Sequence, residues 1–474
     1  MKIILLFILT FSSITNAFSQ TAKEYFMKGS NNDNGGRKTE AISDFTNAIK
    51  LNPKYDVAYW RRAHIKKELG DMDGAIADYK TAIKINPKSI SPYINLAYIK
   101  SEKQDYAGAL ADYTKMITLF PKSPIAYFER AKVKIILKDT KGALADINKT
   151  ILLDPKDDNA YLIRGNLKAE QNDLKGAILD FDKGYANSYG LEAAFNSAVA
   201  KNILQDYKAA LITYDYLIET AEMMNSMTKG SYELYEKNKL TGEQAKLREE
   251  ELREADDLFS IYCNNRGLVK NKLNDSKGAI EDFNKAIEIN PTNAESFYNR
   301  GVSKAMLGDY PDAIKDYTSA IGLFPTYLEA YYSRAVLKTT MQDFGGALTD
   351  YNKAIELSPE NPEIYYSRAT LKSATKDSIG AISDYTKTIE LSPQSPEPYY
   401  YRGVLKYYAN EFIAAISDFT KAIELNPKLA DAYYFRAYAK SGGNIQNETI
   451  CTDLKKAVSL GHEQAVIEVK NSCK

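Results

Sequence analysis

Past the first nineteen residues, apolar and polar positions fall into two helical patterns that alternate along the chain. The first is typified by AYYSRAVLK, Ala330 to Lys338, and the second by GALTDYNKAIELSP, Gly346 to Pro359. Short polar stretches such as Gly-Asp separate them. The second pattern closes on proline, which cannot extend a helical hydrogen-bond ladder. Each pair of patterns therefore predicts helix, turn, helix and stop. The stops also set a period. Pro53, Pro87, Pro121 and Pro155 are 34 residues apart, as are Pro291, Pro325, Pro359, Pro393 and Pro427. The gap from Pro155 to Pro291 is 136, four such periods. A period of this length governs the fold before any local reading does.

Numbering each unit so that the proline is position 32 exposes what recurs. Position 8 is small (Gly29, Ala63, Ala97, Ala131, Gly165, Gly267, Gly301, Ala335, Ala369, Gly403), and position 20 is Ala from Ala41 to Ala415. Position 24 is usually aromatic, as in Phe45, Tyr79, Phe181, Tyr351 and Phe419, and position 27 is often Ala. Small residues allow two helices to approach closely, and large ones fill the space between layers. This combination resembles the tetratricopeptide repeat family over essentially all of the chain past the leader. Twelve units start near 22, 56, 90, 124, 158, 191, 260, 294, 328, 362, 396 and 430, the sixth and twelfth being degenerate. The resemblance implies an all-α fold, a right-handed solenoid of helix pairs with an inner groove lined mainly by first helices. Stacking also follows from physics: ordering a residue costs about 1–2 kcal/mol, which one helix pair cannot recover without neighbours.

Composition narrows the function. Lys plus Arg is 62 and Asp plus Glu is 62, a formal net charge of zero. That is a poor match to the positive excess needed against phosphate, so nucleic acid is not an expected partner. The first nineteen residues read as a secretory signal: Lys2, an apolar run from Ile3 to Phe11, then small residues with Ala17 and Ser19 before a cut that leaves Gln20. The alternative is a membrane anchor, for which the run is short. The expected organisation is a signal at 1–19, a front array at 20–225, an inserted helical arm at 226–257, and a rear array at 258–474. Export predicts a periplasmic, envelope or secreted location.

Position 7 is Arg in nine units, including Arg334 and Arg368, and position 23 is Asp in eleven, including Asp350 and Asp384. Counting orphaned partners favours pairing within a unit over pairing with the next; solvated surface charge is the plainer alternative. A residue written eleven times at one place is more simply architectural than catalytic, since a catalytic site needs one distinctive constellation. No unrepeated nucleophile or metal cluster stands out, so no enzyme activity, cofactor or metal is expected.

Between the sixth and seventh units 35 extra residues intervene. Thr241 and Gln244 form a capping box, and Glu249 and Arg253 an i,i+4 pair. These predict a helical hairpin turning near Leu240, with Met223, Met224 and Met227 against Leu247 and Leu252. A charged linker is the alternative. Cys263 sits where other units carry Phe297 or Tyr331 and reads as a buried thiol. Cys451 and Cys473 flank a turn at Leu460-Gly461 and are either a disulfide or two free thiols. His64 reads as a groove or packing residue, and His462 has no metal-ligand company.

In the family resembled, first-helix positions 2, 5, 9 and 12 tend to face the groove. Position 5 here runs Trp60, Ile94, Phe128, Leu162 and Phe195 in front, then Asn264, Tyr298, Tyr332, Tyr366, Tyr400 and Tyr434 behind. Rear position 2 is Glu295, Glu329, Glu363, Glu397 and Asp431. The groove is thus expected to be apolar in front and a ladder of tyrosines beside carboxylates behind, unless the rings pack on neighbouring repeats instead. No unit carries the Lys-5 and Asn-9 with which some relatives hold acidic carboxyl ends. The expectation is a non-catalytic scaffold that binds a protein or peptide partner. The alternatives are the recognition subunit of an envelope enzyme complex and a self-assembling structural element.

Overall fold

The computed structural model describes residues 21–187, 190–236, 242–445 and 447–473, and every regular element among them is α-helical. Helices come in pairs at the predicted period. The first repeat pairs 21–34 with Lys38–Leu51, the second Asp56–Glu68 with Met72–Ile85, and the third Ile90–Glu102 with Tyr106–Leu119. The fourth pairs Pro124–Ile136 with Thr140–Leu153, the fifth Asp158–Glu170 with Leu174–Asn187, and the sixth Leu191–Ile203 with Tyr207–Glu236. The seventh pairs Gly242–Lys272 with Ser276–Ile289, and the eighth Ala294–Met306 with Tyr310–Leu323. Leu328–Thr340 and Phe344–Leu357 make the ninth, and Pro362–Ala374 and Ser378–Leu391 the tenth. Pro396–Tyr408 with Phe412–Leu425 and Ala430–Gly442 with Asn447–Ser459 complete twelve, and Glu463–Ser472 follows as a final single helix.

The turn inside most pairs is written into three residues. The first helix of the second repeat ends at Gly70, with φ of +84°, and the Asp71 N–H reaches back to the Lys66 carbonyl at 2.8 Å. This is a left-handed helix stop. Asp71 then caps the second helix by accepting from the Gly74 N–H at 2.9 Å. The same arrangement recurs at Asp105, Asp139, Asp275, Asp343 and Asp377. Between the helices, the position-20 alanines are fully buried. A position-8 glycine meets the position-24 ring directly: a Cβ on Gly165 would lie 2.4 Å from Phe181. Within each compact unit a second helix packs on its own first helix and on the next repeat's first helix, as Met72–Ile85 does on Asp56–Glu68 and Ile90–Glu102, and the helical repeats form an α-solenoid.

The chain divides into two compact units, 1–213 and 214–474. Near the start of the second unit Asp215 accepts from Arg266 at 3.0 Å. The helices flanking the insertion are 30 and 31 residues long. Leu240, Thr241 and the side chains of Met227, Gln244, Leu247, Glu249 and Leu252 lie outside the described residues, as do residues 1–20. Met223 and Met224 are exposed. Among the described residues no helix is long and apolar enough to cross a membrane.

Candidate functional site

The recurring charges form one structural device. Arg334 donates to both oxygens of Asp350 at 2.9 and 2.6 Å, and Arg368 to both of Asp384 at 2.8 and 2.7 Å. All nine position-7 arginines bind the aspartate of their own repeat in this bidentate way. A third member was not singled out in the sequence. Lysine at position 11 bridges the same aspartate in ten repeats, from Lys66 to Lys440, at 2.6–2.9 Å. A fourth partner links repeats: the remaining guanidinium nitrogen of each arginine donates to position 25 of the preceding unit. Arg334 reaches Thr318 at 2.9 Å and Arg368 reaches Asn352 at 2.6 Å. The position-4 ring then lies under the guanidinium, as Tyr331 does 5.6 Å from Arg334. The buried aspartates are thereby satisfied, which is the condition for a charge to be tolerated there.

The rear tyrosines are half-buried and divided between two tasks. Each ring leans on the position-24 ring of its own repeat: Tyr298 on Tyr317 at 5.5 Å, Tyr332 on Tyr351 at 6.1 Å, Tyr366 on Tyr385 at 5.8 Å and Tyr400 on Phe419 at 6.2 Å. Two hydroxyls reach the next first helix, Tyr298 to Ser333 at 3.4 Å and Tyr332 to Ser367 at 3.1 Å. Tyr332 also donates to Glu363 at 3.3 Å. Burial raises the hydroxyl pKa of Tyr332, Tyr366 and Tyr400, which keeps them neutral donors. Glu295, Glu329, Glu363 and Glu397 are exposed beside them. Between the first helices of repeats ten and eleven this face opens into a pocket of about 310 Å³, walled by Tyr366, Thr388, Ser392 and Ser395 and rimmed by Glu363 and Glu397.

At the two ends of the ladder the face is closed. Before Tyr298, position 5 is Asn264, buried in a polar seam: its amide oxygen accepts from Ser296 at 3.2 Å and from Asn299 at 3.1 Å, and its amide nitrogen donates to Glu295 at 3.3 Å. At the far end Tyr434 is covered. His462 stacks on it with ring centroids 4.0 Å apart and turns Nε2 towards Asp431 at 3.4 Å. His462 also caps the final helix, its Nδ1 accepting from the Ala465 N–H at 3.2 Å. Cys451 and Cys473 are bonded, with Cα atoms 5.4 Å apart, and tie this final helix to repeat twelve.

In the front unit, Trp60 and Phe128 are half-buried and carry cations. The Arg61 guanidinium lies 5.0 Å from the Trp60 ring and the Lys132 ammonium 5.7 Å from Phe128. His64 stands 6.3 Å from Trp60 and 3.4 Å from Glu68. Cys263 is buried, and burial pushes its thiol up to about 12, so it stays protonated. Among the described residues no group of His, Cys, Asp and Glu is placed to hold a metal.

Family models described as "TPR repeat" match residues 63–103, 267–308 and 337–372. Models described as "Tetratricopeptide repeat" match 22–55 and 295–327. No curated protein matches the chain. Among solved structures, MamA is 26% identical, with 35% of this chain and 96% of that one covered and a TM-score of 0.34. YrrB, titled a TPR protein with an unusual peptide-binding site, is 23% identical over 40% of this chain and 99% of that one, with a TM-score of 0.37. Yeast Tom70 is 17% identical over 96% of each chain, with a TM-score of 0.34.

Proposed function

The chain belongs to the tetratricopeptide-repeat family, whose members generally mediate protein–protein interaction, and from that premise we propose that it is a scaffold holding an extended partner segment against its first helices. One observation carries the choice of face: in repeats eight to eleven a half-buried tyrosine and an exposed glutamate recur together at each repeat. Tyrosine offers broad apolar contact and a hydroxyl at little entropic cost. The glutamates suit a basic or mixed polar segment. Family scaffolds are typically non-catalytic, and the repeated Arg, Lys and Asp side chains are engaged with one another, as architecture requires. Export to the cell envelope belongs to the same proposal. Its support is the apolar leader and the Cys451–Cys473 bond, since disulfides persist in oxidising compartments.

The test is a selection of displayed random peptides on the full chain, followed by Tyr332→Ala, Tyr366→Ala and Tyr400→Ala combined. Selected peptides should lose at least about tenfold in affinity, with the helical circular-dichroism signal retained. Equal binding by the triple variant would remove this face from consideration.

A further inference from the structure

We infer that the pocket beside Tyr366 is a socket for one arginine side chain of the partner segment, an inference that rests on the proposed binding face. The chain carries its own template for this contact. At several repeats of the rear unit, the residue just before the new first helix lies beside the position-5 tyrosine of the repeat it leaves. In repeat eight it is Tyr327, whose ring is 5.0 Å from Tyr298. After repeat eleven it is Leu429, which joins Tyr400 on one apolar cluster. After repeat twelve it is His462, stacked on Tyr434 at 4.0 Å and directed at Asp431. After repeat ten it is Ser395, too small to fill the space, and there the pocket of about 310 Å³ remains. Two more hydroxyls, Thr388 and Ser392, stand in its wall, and Ser392 and Ser395 already bond each other at 2.9 Å.

What fills the sister positions describes what this one takes. His462 shows that a planar N–H group can lie flat on the position-5 ring with its ring nitrogen facing the position-2 carboxylate at 3.4 Å. At the open pocket there are two carboxylates, Glu363 and Glu397, one on each flanking helix. A guanidinium is planar, always charged, and presents N–H groups along more than one edge, so it can stack on Tyr366 and donate to both rims. An ammonium has no plane to stack, and a neutral ring leaves both carboxylates without a counter-charge.

The experiment takes peptides selected on the full chain and replaces each basic residue in turn by alanine, lysine and citrulline. It measures them against the unaltered chain, Ser395→Tyr and Glu363→Gln/Glu397→Gln. Tyrosine at 395 copies what repeat eight already accommodates, and the two glutamates are exposed, so neither variant should disturb folding; thermal melts check this. One arginine should emerge whose alanine or citrulline form binds the unaltered chain about tenfold more weakly. Ser395→Tyr should bind the original peptide equally weakly and be indifferent to that arginine. If peptides need Tyr332 and Tyr400 yet bind Ser395→Tyr and the double Gln chain at full strength, the socket is wrong and the binding face stands. If the full chain retains no peptide, both fall.

Discussion

Repeat ten and repeat three hold the same aspartate in different company. In repeat ten Asp384 takes two bonds from Arg368 and one contact from Lys372, and its side chain is 5% exposed. In repeat three position 7 is Leu96, Asp112 keeps only Lys100 at 2.6 Å, and its side chain is 22% exposed. Across all nine arginine-bearing repeats the aspartate side chain is 3–7% exposed. Repeat one reaches 6% without arginine, because Lys28 and Asn32 both donate to Asp44. Position 7 therefore needs a donor to exclude water from the carboxylate, and apolar bulk does not substitute. Repeat six extends the point. Where Ser197 and Thr213 replace both partners, Lys201 turns to Asp182 of the preceding repeat at 2.9 Å and to Thr213 at 3.0 Å. The lysine follows the available carboxylate.

The largest effect expected from this contrast is at repeat ten. Arg368→Ala leaves the buried Asp384 carboxylate with Lys372 alone and severs the bond to Asn352, so it should cost about 3 kcal/mol. Asp112→Ala, which removes a wetter pair, should cost about 1 kcal/mol or less. Urea unfolding with hydrogen exchange at the affected repeats measures both. Equal losses would erase the distinction. Arg368→Met combined with Asp384→Leu and Lys372→Met should restore most of the stability, because removing all three charges leaves nothing stranded.

Acid sharpens the same comparison at repeat four. Burial alone would raise the Asp146 carboxyl, but hydrogen bonds from Arg130 and Lys134 hold it below its ordinary value. A carboxyl depressed on folding contributes stability above its unfolded pKa of about 3.9, and that contribution disappears as pH falls through the folded value. Urea midpoints should therefore decline below about pH 4. Asp146→Asn should be less stable at neutrality and show a shallower decline.

How much of this could be read from the sequence depended on whether a constraint repeats in one residue type. Proline at 32, alanine at 20 and a small residue at 8 each answer one steric demand, so all twelve pairs were visible, with boundaries close to the observed helices. Lysine at position 11 is written in eleven units and was still passed over, because a lysine within a polar helix reads as solvated surface. The position-25 acceptor is Thr, Asn or Asp according to the repeat, so its constancy lies in hydrogen-bonding capacity and not in a letter. The covering of Tyr434 depends on a shortened turn, Leu460 to His462, that brings a ring where other repeats bring a different side chain. The pocket beside Tyr366 depends on Ser395 being small, which has meaning only once its neighbours are placed.

The smallest effect tests the link between repeats. At every interface where an arginine follows, position 25 offers it an acceptor, such as Thr114 to Arg130 at 3.1 Å and Thr386 to Arg402 at 3.0 Å. The interface that leads to Leu96 has Lys80 at that place instead. Leu96→Arg would give Asp112 its missing donor but set a guanidinium against the Lys80 ammonium. It would also remove a leucine packed with Ala63, Ala75, Tyr79 and Ile99, a burial that contributes about 1.5–3 kcal/mol. The absolute change therefore mixes opposing terms, and the informative quantity is a difference. Leu96→Arg with Lys80→Thr should be more stable than Leu96→Arg alone by about 0.5–1 kcal/mol, the size of one partly exposed charge contact. Lys80→Thr in the unaltered chain, where Leu96 needs no acceptor, should change little. If Lys80→Thr shifts both backgrounds equally in urea unfolding, position 25 is not coupled to position 7, and the arginine acts within its own repeat alone.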